Sequence, residues 1–275
     1  MLKVKLFAFT ILSIISTSCK EDENALTNLF SIENPTIKPI LKLEENVDLV
    51  LQNKENKTID SVIYFCNEVK IGSVKGNDKL PFALNNQKLG NQTIKALVYF
   101  EGKNIDIASG FSIYASAEPK ILNYKIVNTY PHDIKAYTQG FEFYNGILLE
   151  GTGQRGASTL RKTDYKTGKI IEQIKLEDKY FGEGIYTNSA KIEAVNELEW
   201  INGKIWANIY QKDAIAVINP NTGAVENVIN CADLRKKVTQ HQELDAFNGI
   251  AYHLATKTYF VTGKNWDKTF ELAVE

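Results

Sequence analysis

A chain of 275 residues with 44% hydrophobic side chains can bury a real core and has room for about two domains. Its 32 basic and 33 acidic residues leave a net charge of −1. That excludes the basic face which nucleic-acid binding requires, and points to a small molecule or a peptide as partner. Three cysteines, Cys19, Cys66 and Cys231, make no disulfide framework; Cys66 and Cys231 fall in different domains and read as small buried hydrophobes.

At the N-terminus Lys3 and Lys5 precede an apolar run over residues 6–15, and Ser16-Thr17-Ser18 leads into Cys19. A charged start, a short apolar stretch and small residues before a cysteine resemble a bacterial lipoprotein signal over residues 1–19, with Cys19 the site of lipid attachment. Ser16 stands where that pattern usually has Leu. The apolar run is too short to span a bilayer as a mature helix. Residues 20–29 open with Lys20-Glu21-Asp22-Glu23-Asn24, too charged to pack and suited to a solvated tether. The expectation is an exported lipoprotein, anchored to a membrane and facing the periplasm or the cell surface.

Residues 30–117 read as short strands and turns. Stretches 61–65, 93–100 and 105–114 are rich in β-branched and aromatic residues, and turn signals fall at Gly76-Asn77-Asp78, Asn85-Asn86, Gly90-Asn91 and Glu101-Gly102-Lys103. That rhythm predicts an immunoglobulin-like β-sandwich. No cluster of chemically active side chains marks it, so it reads as a spacer or interaction module.

Residues 118–275 repeat. Phe141-Glu142-Phe143-Tyr144-Asn145-Gly146-Ile147-Leu148 matches Leu198-Glu199-Trp200-Ile201-Asn202-Gly203-Lys204-Ile205, and Thr167-Gly168 matches Thr222-Gly223. A shorter echo runs from Gly249-Ile250-Ala251-Tyr252 to Tyr259-Phe260-Val261-Thr262-Gly263. Each unit is strand, Asn-Gly hairpin, two strands, Thr-Gly turn and strand, the four-stranded blade of a β-propeller. Residues 121–127 supply a strand before the first unit and 270–274 one at the end, which predicts a blade shared between the two ends of the ring. Residues 233–242 read as a short helix. The period breaks once: Asn145 and Asn202 lie roughly 57 residues apart, too far for one blade of ~40–45 and too close for two. The break falls over residues 180–192.

The stretch from Tyr180 to Trp200, which includes this break, collects Glu183, Glu193, Glu197 and Glu199, with Glu183 between Gly182 and Gly184. Glycines let the backbone turn tightly and approach a ligand. A carboxyl group does proton-transfer work near neutrality when burial or a like charge raises its pKa, and Glu197 and Glu199 are the sequence neighbours that would supply the charge. His132 beside Pro131 reads as a turn residue. His241 and His253 have no Cys or His at ligand spacing, so neither a metal nor another cofactor is expected. Glu142 and Glu199 occupy equivalent repeat positions, which argues for a structural role.

The ordered motifs Tyr130-Pro131-His132-Asp133, Ala136-Tyr137-Thr138-Gln139-Gly140, Phe181-Gly182-Glu183-Gly184, Asn196-Glu197-Leu198-Glu199, Trp206-Ala207-Asn208, Asn248-Gly249-Ile250-Ala251 and Val261-Thr262-Gly263-Lys264 resemble the plant- and bacterial-type glutaminyl-peptide cyclotransferases, also called glutamine cyclotransferases. The resemblance covers residues 121–275. It implies a five-bladed propeller that turns the N-terminal glutamine of peptides into pyroglutamate with release of ammonia, an acyl transfer done without a catalytic zinc. Glu183 would be the catalytic acid/base. Tyr137, Gln139, Asn196, Tyr210 and Lys264 would line the substrate pocket. The chemistry of ring closure adds that Lys264 and Asn196 could hold the carboxamide oxygen as negative charge develops on it. Tyr137 and Tyr210 stand where the family more often has Phe and Trp. The family also carries a long segment between the Glu183 and Asn196 motifs that is missing here. Five blades need ~200–225 residues against roughly 157 from Pro119 onwards, a deficit of about one to one and a half blades. The fold expectation is therefore all-β: an immunoglobulin-like sandwich followed by a truncated propeller. The functional expectation is a glutaminyl-peptide cyclotransferase. The alternative, which the missing segment favours, is a degenerate non-catalytic propeller acting as a peptide-binding or surface interaction protein.

Overall fold

The structure, a computed structural model, describes residues 29–32, 40–183 and 195–275. Cys19, the tether up to residue 28, Gly184 and Glu193 lie outside the described residues. Two compact units emerge. One is built on Asn46–Phe82 and Gln92–Phe111, the other on Ser112–Glu275 with the short segments Ile40–Glu45 and Ala83–Asn91. Among the described residues no helix is long and apolar enough to cross a membrane.

The first nine strands are β1 (Phe30–Ile32), β2 (Ile40–Lys42), β3 (Asn46–Leu49), β4 (Leu51–Asn53), β5 (Ile59–Cys66), β6 (Val69–Lys75), β7 (Leu80–Ala83), β8 (Gly90–Phe100) and β9 (Lys103–Tyr114). They form a five-stranded sheet in the order β2-β9-β8-β5-β6 and two small pairs, β1-β4 and β3-β7. Alternation along β8 buries Ile94, Ala96, Val98 and Phe100, and along β5 it buries Val62, Tyr64 and Cys66. Phe30 from β1 meets Phe100 edge-on, ring centroids 4.9 Å apart, so the β1-β4 pair packs against the large sheet's apolar face. Every strand stretch read from the sequence here is present.

The remaining strands are β10 (Lys120–Leu122), β11 (Tyr124–Pro131), β12 (Thr138–Tyr144), β13 (Ile147–Thr152), β14 (Thr159–Asp164), β15 (Lys169–Lys175), β16 (Val195–Ile201), β17 (Lys204–Ile209), β18 (Ala214–Ile218), β19 (Val225–Asn230), β20 (Phe247–His253), β21 (Thr258–Gly263) and β22 (Lys268–Val274). Among the described residues they make three blades: β12 to β15, β16 to β19 with β10 added in parallel, and β20 to β22 completed by β11. The pairing of β11 with β22 is the shared blade expected from the two ends of the repeat. Both Asn-Gly hairpins form with positive φ, Asn145 at 49° and Gly146 at 77°, Asn202 at 51° and Gly203 at 78°. These are the angles a two-residue turn demands. Residues 233–242 differ from expectation. Only α1 (Ala232–Arg235) is helical, and beyond it the Gln240 amide donates to the carbonyls of Arg235 and Val238 in place of further helical turns.

The first strand of each blade is innermost, and Glu197 ties the three together. Its side chain, in β16, accepts the backbone N–H of Phe141 in β12 (3.3 Å) and of Ile250 in β20 (2.8 Å). A carboxylate 3% exposed at the hub is therefore a structural hinge-pin that satisfies two strands' donors. The five blades implied by the resemblance are represented by three. Among the described residues β15 is exposed along its whole length, with Ile171 and Ile174 in solvent, as is Leu160 on the neighbouring β14.

Candidate active site

In an antiparallel blade, the start of the first strand and the end of the second lie at the same rim. Here that rim gathers Tyr137 and Gln139 at the start of β12, Asn196 at the start of β16, Tyr210 just after β17, Asn248 at the start of β20, and Lys264 just after β21. The register carries a further feature that residue patterns do not display. All three innermost strands bulge at this rim, between Thr138 and Gly140, between Val195 and Leu198, and between Phe247 and Ile250. Each bulge inserts one extra residue and re-aims its side chain. The bulged positions are where Gln139, Asn196 and Asn248 sit.

Their amides meet. Asn196 Nδ2 donates to Asn248 Oδ1 at 2.8 Å and lies 3.5 Å from Gln139 Oε1. Asn248, wholly buried, donates through Nδ2 to the Thr138 carbonyl at 2.8 Å. Asn208 steadies the same strand by accepting the Gly249 N–H at 2.9 Å. Asn196 and Gln139 thus hold other side chains rather than loose backbone groups.

Lys264, 3% exposed, reaches between two aromatic faces, 4.7 Å from the Tyr137 ring centroid and 5.7 Å from that of Tyr210. Burial pulls its pKa below the usual lysine value, and the charges of Asp245 and Glu183 offset only part of that. Burial, with the Asp245 carboxylate beside it, pushes the Tyr137 hydroxyl up to about 12. Tyr137, Gln139, Asn196, Tyr210 and Lys264 are therefore brought together.

Glu183 takes a different place from the one expected. It is exposed, and its charge reaches the site through Lys264. The segment that carries it is pinned to the rim of the first blade. Gly182 N–H donates to Ser158 Oγ at 2.9 Å, and the Phe181 ring stands edge-on to Tyr137 at 6.4 Å. A Cβ on Gly182 would lie 2.5 Å from the Thr152 carbonyl oxygen, so only glycine fits. Gly182→Ala is expected to break the Gly182–Ser158 contact, push Glu183 off the rim and lower the melting temperature, checked by a thermal melt.

Glu197 and Glu199 turn their carboxyls to backbone donors of β12 and β20. Burial and then the charge of Glu199 raise the Glu197 pKa well above its usual value, against the two N–H bonds that favour its anion. Glu199 accepts the Tyr252 N–H at 3.1 Å. Burial lifts it to about 7, the Tyr252 bond opposing and Glu142 adding to the rise. A carboxyl whose folded pKa exceeds its ordinary 4.5 favours folding at low pH and loses that advantage as pH rises from 4.5 through about 7. Glu199→Gln keeps the acceptor and removes the charge, so it should flatten this decline and gain stability relative to wild type at pH above 7, read by thermal melts across pH. These two acids belong to the hub, as the repeat equivalence of Glu142 and Glu199 suggested.

His132 also departs from its reading as a turn residue. Its side chain, 3% exposed, contacts the Trp266 carbonyl through Nδ1 (2.7 Å) and Glu150 Oε1 through Nε2 (2.9 Å). Among the described residues no group of three or more His, Cys, Asp or Glu could hold a metal ion.

The model of the glutamine cyclotransferase family matches two stretches, residues 103–192 and 185–274, which meet where the repeat spacing breaks. Glutaminyl-peptide cyclotransferase of Arabidopsis thaliana is 26% identical over 232 residues, taking in 57% of this chain and 72% of the relative. That alignment is longer than the share of this chain within it, so the relative carries residues with no counterpart here. The crystal structure of Myxococcus xanthus glutaminyl cyclase superposes with a TM-score of 0.51 at 24% identity, covering 57% of this chain and 99% of that one, and shows the fold. With more than half of its length matched by the family model, the chain belongs to the glutamine cyclotransferase family.

Proposed function

We propose that the protein is a glutaminyl-peptide cyclotransferase, which closes the N-terminal glutamine of a peptide into pyroglutamate and releases ammonia. The observation that carries this reading is the convergence of three bulged amides and a buried, aromatic-flanked lysine at one rim of the blades. Such a site offers donors and acceptors for a carboxamide and an amine within an aromatic wall.

In the reaction the α-amine nitrogen attacks the side-chain amide carbon. A C–N bond forms, the carbonyl oxygen gains negative charge, and the Lys264 ammonium is the cation at hand to hold it. The α-amine, protonated on arrival, first gives one proton to solvent to free its lone pair; Glu183 then takes the proton that the nitrogen sheds on attack and passes it to the leaving nitrogen, whose bond to carbon breaks to give ammonia. One carboxylate at the rim suffices because the two transfers run in opposite directions. Attack is intramolecular, so the walls of Tyr137 and Tyr210 contribute chiefly by holding the folded-back conformer. We further propose that the chain is exported and anchored through a lipid on Cys19, on the strength of its first residues.

The exposure of Glu183 and the three blades favour a second reading, a peptide-binding propeller without turnover. Calorimetry and an ammonia assay on the same Gln-initiated peptide separate the two. Heat of binding with ammonia release supports the enzyme; heat without ammonia supports the binder.

A further inference from the structure

The amide cluster fixes which end of Asn196 faces a ligand, and this inference rests on the cyclotransferase reading above. The Thr138 backbone carbonyl can only accept, so the Asn248 atom 2.8 Å from it must be Nδ2, and Oδ1 must point the other way. That oxygen faces the Asn196 amide at 2.8 Å, which in turn must present Nδ2 to it. The second acceptor near Asn196 Nδ2 is Gln139 Oε1 at 3.5 Å. Both Asn196 donors are therefore directed at protein, and among the described residues none donates to its Oδ1.

We infer that Asn248 is a positioning residue: by accepting the Asn196 amide it turns the Asn196 carbonyl oxygen to the substrate, where it receives an N–H of the glutamine α-amine. The α-amine is the strongest donor the substrate brings, since it arrives protonated at neutral pH and makes charge-assisted bonds. Lys264 repels a second cation, so an uncharged acceptor at the same rim is what steers that amine into place. Asn196 thereby recognises the nucleophile, in contrast to the oxygen-holding role expected of it from the sequence. Gln139, its Oε1 turned to Asn196, keeps Nε2 for the peptide.

The test compares a Gln-initiated peptide with its des-amino analogue, which keeps the carboxamide and lacks the α-amine, as an unreactive competitor. In Asn248→Ala the Asn196 amide is free to turn, and KM for the Gln peptide should rise on the order of tenfold while the inhibition constant of the des-amino peptide stays put. An equal rise in both, or no rise in either, overturns the assignment, because general damage to the site would not single out the amine. Should Asn248→Ala melt below the assay temperature, Asn196→Ala takes its place with the same pair of peptides. It removes the acceptor itself, so KM for the Gln peptide should rise while the des-amino inhibition constant stays put; an equal change in both overturns the assignment. A wild type that leaves the Gln peptide unchanged removes the activity and this role with it. A wild type that turns over normally, with an Asn248→Ala effect blind to the amine, removes this role alone.

Discussion

His132→Leu is expected to cost about 3–5 kcal/mol of folding stability, the loss typical when one partner of a buried ion pair is removed and the other stays behind. Both imidazole nitrogens face acceptors, the Trp266 carbonyl and Glu150 Oε1, so the ring is satisfied only as an imidazolium with two N–H groups. Glu150, its side chain 2% exposed, also accepts the Thr138 hydroxyl at 2.7 Å and lies 3.9 Å from Arg161. Burial alone would neutralise both groups. For His132 the charge and hydrogen bond of Glu150, the Trp266 carbonyl and the Asp133 charge together outweigh burial and hold it above its ordinary 6.5; for Glu150, His132, Thr138 and Arg161 together do so and hold it below its ordinary 4.5.

The signs then set a pH window. The contribution of His132 is complete below 6.5 and fades as pH climbs through its elevated folded value. That of Glu150 is complete above 4.5 and fades as pH falls through its depressed one. Denaturant titrations of wild type and His132→Leu should differ most between about pH 4.5 and 6.5 and converge on either side. A constant difference across pH would mean that the leucine merely packs badly. The pair also sits under the site, since Thr138 links Glu150 to the carbonyl that orients Asn248.

Glu183→Gln should reduce kcat about 10²–10⁴-fold, the range for removing a general acid/base. Because Glu183 is exposed, the melting temperature should stay close to wild type, within the ~0.5 kcal/mol usual for surface changes. Turnover that survives the substitution would transfer the proton work to solvent and leave Glu183 as a charge that only tunes Lys264.

Much of the fold was readable because its signals are local. Asn145-Gly146 and Asn202-Gly203 demand hairpins wherever they occur, and the strands on either side carry their own alternation. The strand ahead of the repeat and the one at its end could be joined because an unpaired edge at each end of a ring has one economical solution. The site was legible only as a list of residues. Gln139, Asn196 and Asn248 meet because three strands bulge at one rim, and a bulge is a property of pairing, invisible until two strands are set side by side. Adjacency in sequence misled for the same reason. Glu197 and Glu199 lie near Glu183 along the chain, yet their carboxyls turn to donors on β12 and β20. His132 looked like part of a turn because its partner, Glu150, belongs to another strand.

The central claim is that this shortened set of blades still carries out the ring closure. The most direct measurement is to give purified protein a peptide whose N-terminal glutamine carries isotopic nitrogen in its side-chain amide, and to follow both products by mass spectrometry. The account predicts that the label leaves as ammonia while the peptide closes to an unlabelled pyroglutamyl ring, and that Glu183→Gln slows both together. A peptide that binds but keeps its label, or one that closes equally fast with Glu183→Gln, would contradict it.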